Sequence, residues 1–305
     1  MRTKDLKLAD GYVMHYHYWK CKGDEKAVMH INHGMAEHSL RYNEFAHYLN
    51  KFGISVYAQD HIGHGLAEDQ GQLGFFAEED GWIKVINQAV ELSKFIKAEN
   101  PNLPLILFGH SMGSFIARCI LEKADELYTC AIIMGTASTN GLVGKIGRSI
   151  ANSHIKKKGA TFIDKKLDSL AFGAYNKKFD KNGSSFQWLS RDKNIVQKYE
   201  DDKWCGFICT SSMYRDLMDM IEEANNKDKI NKIRKDIPLL FISGEDDPVG
   251  NYVKGVTKAF NIYKESGLKD ITLKIIPGAH HELLNEIDKD DTMAILSTWL
   301  EMKLK

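Results

Sequence analysis

The sequence has little that points to a membrane, a nucleic acid or an oxidising compartment. Its 305 residues carry 41 basic and 41 acidic side chains, so the basic excess typical of nucleic-acid binders is missing. No apolar stretch approaches the roughly 18 residues that span a bilayer, and the opening MRTKDLKLADG lacks the apolar centre of a signal peptide. The five cysteines are scattered, unlike a disulfide framework. These absences predict a cytoplasmic protein with reduced thiols.

The apolar residues that are present follow a strand–helix alternation. Short apolar runs ending in Gly, Asp or His predict buried strands, and the run at 12–19 predicts an antiparallel strand before them. The buried strands are predicted at 27–34, 54–60, 103–110, 130–136, 237–244 and 271–278. This pattern is typical of an α/β protein with a mostly parallel central sheet flanked by helices.

The alternation stops between residues 140 and 236, where helical stretches rich in lysine and aromatic residues replace strands. A structureless loop of that length is improbable, so we expect an inserted helical cap. The core then comprises residues 1–139 and 237–305. Because ligands of open α/β sheets bind at the carboxyl ends of the strands, a cap inserted there would cover the site.

The motif GHSMG at 109–113 follows an apolar strand and opens an amphipathic helix. This is the G-x-S-x-G pattern, in which a sharp turn exposes Ser111 as a nucleophile above the sheet. The acid and the histidine of such a triad follow in that order. The last two strands end in SGEDD and GAHHE, which offer three carboxylates and two histidines. The backbone N–H groups of Met112 and Met35 are the expected oxyanion donors.

The histidines of the first half, at positions 30, 33, 38, 61 and 64, do not have the spacing of a metal site. On a strand, the H-x-x-H spacing of His30 and His33 places the two rings on opposite faces. We therefore predict neither a metal nor a cofactor. His33 and His64 are interpreted as residues that shape loops near the site.

Five motifs together resemble the serine α/β-hydrolases of the monoacylglycerol lipase and lysophospholipase group. They are HGMAEHSLRY (33–42), DHIGHG (60–65), GHSMGS (109–114), SGEDDPVG (243–250) and GAHHELLNE (278–286). In the cap, YN, WLSRD and CGF (175–176, 188–192 and 205–207) are similar to bacterial members.

The resemblance implies an α/β-hydrolase fold and hydrolysis of an ester with a single acyl chain through an acyl-enzyme. It also implies a catalytic triad of Ser111, Asp247 and His281, with Met35 and Met112 as oxyanion donors. The sequence departs from the family pattern at Ala36, Leu40 and Ala67, which the resemblance places at the edge of the pocket. These departures concern substrate size.

Two other functions remain as alternatives. A peptidase of the proline aminopeptidase type has the same fold and triad, and Glu200, Asp201 and Asp202 are the candidates for holding the substrate's amino group. A non-catalytic ligand-binding module is the second alternative, although no triad position is lost. Haloalkane dehalogenase and epoxide hydrolase chemistry is disfavoured because it needs an aspartate at position 111.

The predicted cap is basic near its start. Between residues 141 and 180, nine Lys and Arg face three Asp, a net charge of +6. The stretch 142–155 places Leu142, Ile146, Ile150 and Val143 on one helical face. Such a helix either lies transiently on an anionic membrane or micelle surface, or packs its apolar face within the cap. The sequence gives no prediction of the oligomeric state.

Overall fold

The computed structural model describes residues 1–138, 141–179 and 183–305. Within them, eight strands form one sheet: β1 (Arg2–Lys7), β2 (Val13–Trp19), β3 (Ala27–Asn32), β4 (Ile54–Gln59), β5 (Leu105–His110), β6 (Cys130–Met134), β7 (Leu239–Gly244) and β8 (Ile271–Ile276). Their order is β1-β2-β4-β3-β5-β6-β7-β8. The pairings of β1 with β2 and of β2 with β4 are antiparallel, and the others are parallel.

The helices are α1 (Asn43–Asn50), α2 (Gly81–Glu99), α3 (Met112–Ala124), α4 (Leu142–Lys158), α5 (Lys165–Phe172), α6 (Lys193–Asp201), α7 (Ser211–Glu223), α8 (Lys227–Ile230), α9 (Lys254–Glu265) and α10 (Lys289–Lys303). Helices α1 and α10 pack on one face of the sheet, and α2, α3 and α9 pack on the other. Along β5, Leu105 and Leu107 join one core, whereas Ile106 and Phe108 join the other. Strands buried on both faces are therefore mostly apolar, as the sequence indicates.

The architecture confirms the predicted fold class. Strand β1 was not predicted, because its sequence RTKDLK is charged and the strand lies almost wholly exposed at the sheet edge. Charged edge strands of this kind prevent pairing with other chains, and they lack an apolar pattern that would reveal them.

Helices α4–α8 occupy the segment between β6 and β7, where the cap is expected. From α7, the buried Met213, Tyr214 and Met220 pack into the same apolar cluster as α2 and α3. The division at residue 140 stays a prediction, since residues 139 and 140 lie outside the described part of the chain. All five cysteines are free and buried. No helix within the described ranges is long and apolar enough to cross a membrane.

Candidate active site

Ser111 lies on the turn between β5 and α3 with φ 53° and ψ −122°. A non-glycine residue rarely adopts a positive φ, and such strain is concentrated at functional sites. The flanking glycines are sterically required. A Cβ at Gly109 would clash with the carbonyl of Gly113, and a Cβ at Gly113 would clash with the carbonyl of Asn32. The predicted motif thus has the backbone geometry of a nucleophile elbow.

The loops after β7 and β8 bring Asp247 and His281 together. His281 Nδ1 donates to Asp247 Oδ2 at 2.9 Å, and both side chains are buried. Ser243 Oγ and the N–H of Val249 also donate to the carboxylate, at 3.2 and 2.8 Å. These bonds hold the carboxylate in one orientation.

The two groups stabilise each other's charged forms. Burial acts to raise the pKa of Asp247, but His281 and the hydrogen bonds outweigh it and the pKa is lowered. Burial acts to lower the pKa of His281, but Asp247 outweighs it and the pKa is raised. The buried Nε2 of His281 has no hydrogen-bond partner in the described part of the chain. His281 lines the same cavity as Ser111.

The neighbouring acids and histidine are engaged elsewhere. Glu245 is exposed and accepts a hydrogen bond from the N–H of Gly278 at 2.9 Å. Asp246 is half-buried and its backbone N–H bonds to Ala279. His280 Nδ1 donates to the carbonyl of Gln187 at 2.8 Å. The structure therefore pairs Asp247 with His281 and leaves the other candidates outside this contact.

The loop carrying Met35 lies beside the nucleophile, because a Cβ at Gly34 would be 3.2 Å from the Cβ of Ser111. His33 Nδ1 donates to the carbonyl of Gly34 at 2.7 Å, and His33 Nε2 accepts from the N–H of His61 at 3.0 Å. His33 therefore shapes this loop, as the sequence analysis expected.

Two cavities reach Ser111 and Met35. The larger, of about 620 Å³, is lined near the nucleophile by apolar side chains, and the smaller has a volume of about 360 Å³. The apolar lining of the larger cavity includes Met112, Phe115, Leu217, Met218 and Ile221. The smaller cavity is lined by His281 and by aromatic residues that include Trp188, Tyr199 and Phe207.

Three charged residues next to the site are not among the residues for which the sequence predicts a role. Arg41 bonds to both Glu37 and Glu282, and all three are largely buried. Their letters stand within quoted motifs, but nothing in the sequence shows that residues 241 positions apart meet. The only signal available in the sequence was that these charges stand within motifs that carry the family resemblance.

The cap carboxylates required by the peptidase alternative lie away from the cavities. Neither cavity is lined by Glu200, Asp201 or Asp202 in the described ranges. Asp202 instead accepts a hydrogen bond from His38 Nε2 at 2.9 Å. Cys205 lies close to this pair, and the atoms of the three side chains that could bind a metal lie within 4.8 Å of one another. The His38–Asp202 hydrogen bond accounts for the contact without a metal ion.

Comparisons with known proteins agree with this geometry. The family model described as serine aminopeptidase, S33, matches residues 23–288. The monoglyceride lipase of Mus musculus is 25% identical over 303 residues, covering 98% of this chain and 90% of the mouse protein. The Homo sapiens enzyme is 29% identical over 284 residues, covering 92% and 84%. A thermostable carboxyl esterase from Bacillus coagulans has a TM-score of 0.92 at 24% identity, covering 100% and 99% of the two chains.

A mostly parallel sheet with a serine on a strained strand-to-helix turn defines an α/β-hydrolase. The chain belongs to the S33 serine aminopeptidase family and is of the monoacylglycerol lipase type. The resemblance drawn from the five motifs is confirmed, and the protein is a serine ester hydrolase.

Proposed function

We propose that this enzyme hydrolyses esters of a single acyl chain through an acyl-enzyme on Ser111, with His281 as the base and Asp247 as the acid that orients it. The observation that carries the proposal is the buried 2.9 Å hydrogen bond between His281 and Asp247, on the cavity that also contains Ser111. An aspartate in this position fixes the imidazole tautomer and stabilises the imidazolium.

In the proposed reaction, Ser111 Oγ attacks the ester carbonyl carbon while His281 Nε2 takes the hydroxyl proton. The N–H groups of Met35 and Met112 stabilise the resulting oxyanion. His281 then gives its proton to the leaving alcohol, and the C–O bond of the ester breaks. Water, activated by the same histidine, hydrolyses the acyl-enzyme and restores the Ser111 hydroxyl.

The position of His281 supports an assignment of the two cavities to the two halves of the substrate. The leaving oxygen must be within reach of the base that protonates it, and His281 lines the smaller cavity but not the larger. The alcohol therefore belongs in the smaller cavity. The acyl chain belongs in the larger one, where Phe115, Leu217 and Ile221 offer an apolar wall.

The smaller cavity favours an uncharged alcohol such as glycerol over a phosphate-bearing one. Its described lining includes the carboxylates of Glu37, Asp168 and Glu282 and no lysine or arginine. Arg41 pairs with Glu37 and Glu282 behind this lining, so three carboxylates face one guanidinium and the wall keeps a net negative charge. A phosphate would be repelled by that charge, because like charges repel strongly away from bulk water. This wall supports monoacylglycerols over lysophospholipids, in line with the names of the relatives.

The aminopeptidase alternative is less well supported. In a peptide, the residue with the free amino group provides the acyl half and would enter the larger cavity. That cavity is lined by Lys145, Lys254 and Lys258 and by one acid, Glu222, which accepts a hydrogen bond from Arg148 at 3.0 Å. Lysines are unsuited to binding an ammonium group. The non-catalytic alternative is disfavoured because the predicted nucleophile, base and acid are all present.

Transient contact of the cap with a membrane or micelle surface is a further part of this proposal. On α4, Leu142 and Ile146 are 72% and 54% exposed, and Lys145 of the same helix lines the larger cavity. Ile150 is half-buried, so one part of the predicted apolar face packs against the protein and the part with Leu142 and Ile146 is exposed to solvent. The side chain of Val143 lies outside the described part. A cytoplasmic location is retained from the sequence as part of the proposal.

The decisive experiment replaces Ser111 with alanine and measures hydrolysis of 1-monodecanoylglycerol. We expect a loss of order 10⁶ in kcat with the fold preserved, as in other triads. A fluorophosphonate probe should label the wild-type enzyme and not the variant. Labelling that survives Ser111→Ala would assign the nucleophile to another residue. Decanoyl-lysophosphatidylcholine and alanyl-β-naphthylamide, offered to the wild type, test the two less supported substrate classes.

A further inference from the structure

A single guanidinium joins the two loops that frame Ser111. Arg41 lies on a short 3₁₀ turn, Ser39–Tyr42, between the Met35 loop and α1. Its Nη1 donates to Glu37 Oε2 at 2.8 Å and to Glu282 Oε1 at 2.5 Å, and its Nη2 donates to Glu282 Oε2 at 2.6 Å. Because both oxygens of Glu282 are bound, this contact is bidentate, which fixes direction as well as distance. Glu282 directly follows His281 in the chain.

The other oxygen of Glu37 holds the Met35 loop. Glu37 Oε1 accepts hydrogen bonds from the N–H of Gly34 at 2.6 Å and from the Tyr42 hydroxyl at 2.9 Å. Burial acts to raise the pKa of Glu37, but Arg41, together with His110, His33 and the N–H of Gly34, outweighs it and lowers the pKa to about 2. Glu37 is thus ionised throughout the neutral range and anchors the residue that immediately precedes Met35.

The backbone of this loop needs such an anchor. Ala36 has a φ of 51°, a strained value for a residue with a Cβ. Its carbonyl accepts from the Tyr199 hydroxyl at 2.7 Å, and the Tyr199 ring lies 4.8 Å from the Arg41 guanidinium. Strained segments persist only when their surroundings over-determine them.

Arg41 has no contact with the space that the substrate occupies. Its side chain is 12% exposed, and it lines neither of the two cavities at Ser111 in the described ranges. Any effect of Arg41 on the reaction must therefore pass through the groups that it contacts, which are Glu37, Glu282 and the Tyr199 ring.

We propose that Arg41 is a positioning residue that holds the Met35 N–H and the His281 imidazole in the correct positions relative to each other and to Ser111. The inference rests on the proposed function, since it takes these two groups as oxyanion donor and base. Catalytic groups must be held within about 0.5 Å of their productive geometry. A planar guanidinium that binds one carboxylate from each loop can fix their relative position to this precision. A lysine ammonium, which is a point charge on a flexible chain, cannot.

The test uses Arg41→Lys and Glu282→Gln, because removing Arg41 outright would leave two buried carboxylates facing each other. Glu282→Gln keeps the side-chain shape and leaves a neutral Glu37–Arg41 pair. Rates are expressed per active site, titrated with a fluorophosphonate. With p-nitrophenyl butyrate we expect kcat to fall about tenfold or more in both variants, with KM within about threefold, as for an interaction made in the transition state.

Two further measurements separate positioning from mere support of the fold. Butaneboronic acid mimics the tetrahedral intermediate without an alcohol group, so its Ki should rise by about the same factor as kcat falls. Glu282 also acts to raise the pKa of His281. The acid limb of kcat/KM should therefore move to lower pH in Glu282→Gln.

Asp164→Asn is the matched control. Asp164 is a buried carboxylate of the cap that pairs with His154 Nδ1 at 2.6 Å and accepts hydrogen bonds from Ser211 Oγ and the N–H of Leu167. Among the described residues, none of these partners belongs to either loop. This variant should lower Tm while leaving kcat per titrated site, the boronate Ki and the acid limb unchanged.

The inference is overturned if Arg41→Lys and Glu282→Gln behave like Asp164→Asn, losing only Tm. That failure is distinct from a failure of the proposed function, which would show as hydrolysis surviving in Ser111→Ala and would overturn both.

Discussion

The backbone N–H of His281 donates a hydrogen bond to the carbonyl of Trp188, at 3.3 Å. Trp188 belongs to the segment between β6 and β7, and its ring lies 5.2 Å from the imidazole of His281. The residues that follow form further hydrogen bonds between the same two segments. The N–H of Glu282 donates to the Leu189 carbonyl at 2.8 Å, and Ser190 Oγ donates to the Asn285 carbonyl at 2.8 Å. His281, the proposed base, is thus anchored to the segment between β6 and β7 as well as to the sheet, so displacement of this segment would displace His281.

The identity of the triad acid can be tested with two neighbouring isosteric changes. Asp247→Asn should lower kcat by three orders of magnitude or more, because a misoriented imidazole alone costs roughly 10⁴. Asp246→Asn should stay within about tenfold, since the hydrogen bond of His281 goes to Asp247, and the backbone N–H of Asp246 bonds to Ala279. Steady-state kinetics with p-nitrophenyl butyrate measure both. An inactive Asp246→Asn beside an active Asp247→Asn would show that the assignment is off by one residue.

The paired histidines offer the corresponding test of the base. His281→Ala should lose three or more orders of magnitude in kcat, by analogy with other triads. His280→Ala should stay within about tenfold, because its ring bonds to the Gln187 carbonyl and packs on Phe179. The reverse order of activities would make His280 the base.

The raised pKa of His281 predicts the acid limb of the pH profile. The histidine acts as a base only when neutral, so kcat/KM should rise with pH through the pKa of His281 in the free enzyme. Asp247 raises that pKa above the ordinary value of 6.5, so the midpoint should lie above 6.5. In Asp247→Asn the remaining activity should have a lower midpoint. A wild-type midpoint below 6.5 would contradict this account.

The assignment of the acyl chain to the larger cavity can be tested by narrowing each cavity in turn. Leu217→Trp should lower kcat/KM for p-nitrophenyl decanoate about tenfold more than for the butyrate, since a few methylenes in an apolar pocket are worth factors of this size. Ile208 lines the smaller cavity, so Ile208→Trp should affect both chain lengths equally. Chain-length dependence in Ile208→Trp alone would reverse the assignment.

The exposed apolar residues of α4 predict binding to anionic vesicles. Phosphatidylglycerol vesicles at low salt should sediment with the wild-type protein, and the Leu142→Ser, Ile146→Ser double variant should bind at least about tenfold more weakly, since each buried aliphatic side chain is worth about 1.5–3 kcal/mol. Ile287 is 64% exposed but outside the cap, so Ile287→Ser should bind like wild type. Absence of wild-type sedimentation would end the membrane proposal.

Sequence reasoning worked best where the physical cause is local. The turn at Ser111 was predictable because its two glycines are imposed by steric contacts within a few residues and with the adjacent strand. The buried strands were predictable because burial on both faces favours a mostly apolar run. Strand β1 was not predicted because an exposed edge strand does not require apolar residues.

By itself, the sequence determined the fold class, the nucleophile turn, and the order in which serine, acid and histidine follow the strands. The residues of SGEDD and GAHHE alone left three acids and two histidines open, and the family resemblance pointed to Asp247 and His281. The tertiary structure supplied the contact itself, a hydrogen bond between these two residues, which are 34 positions apart. It also decided how one guanidinium links Glu37 to Glu282, and which cavity contains His281. These relations depend on how separate loops pack at one edge of the sheet, and no local propensity or motif spacing encodes that packing.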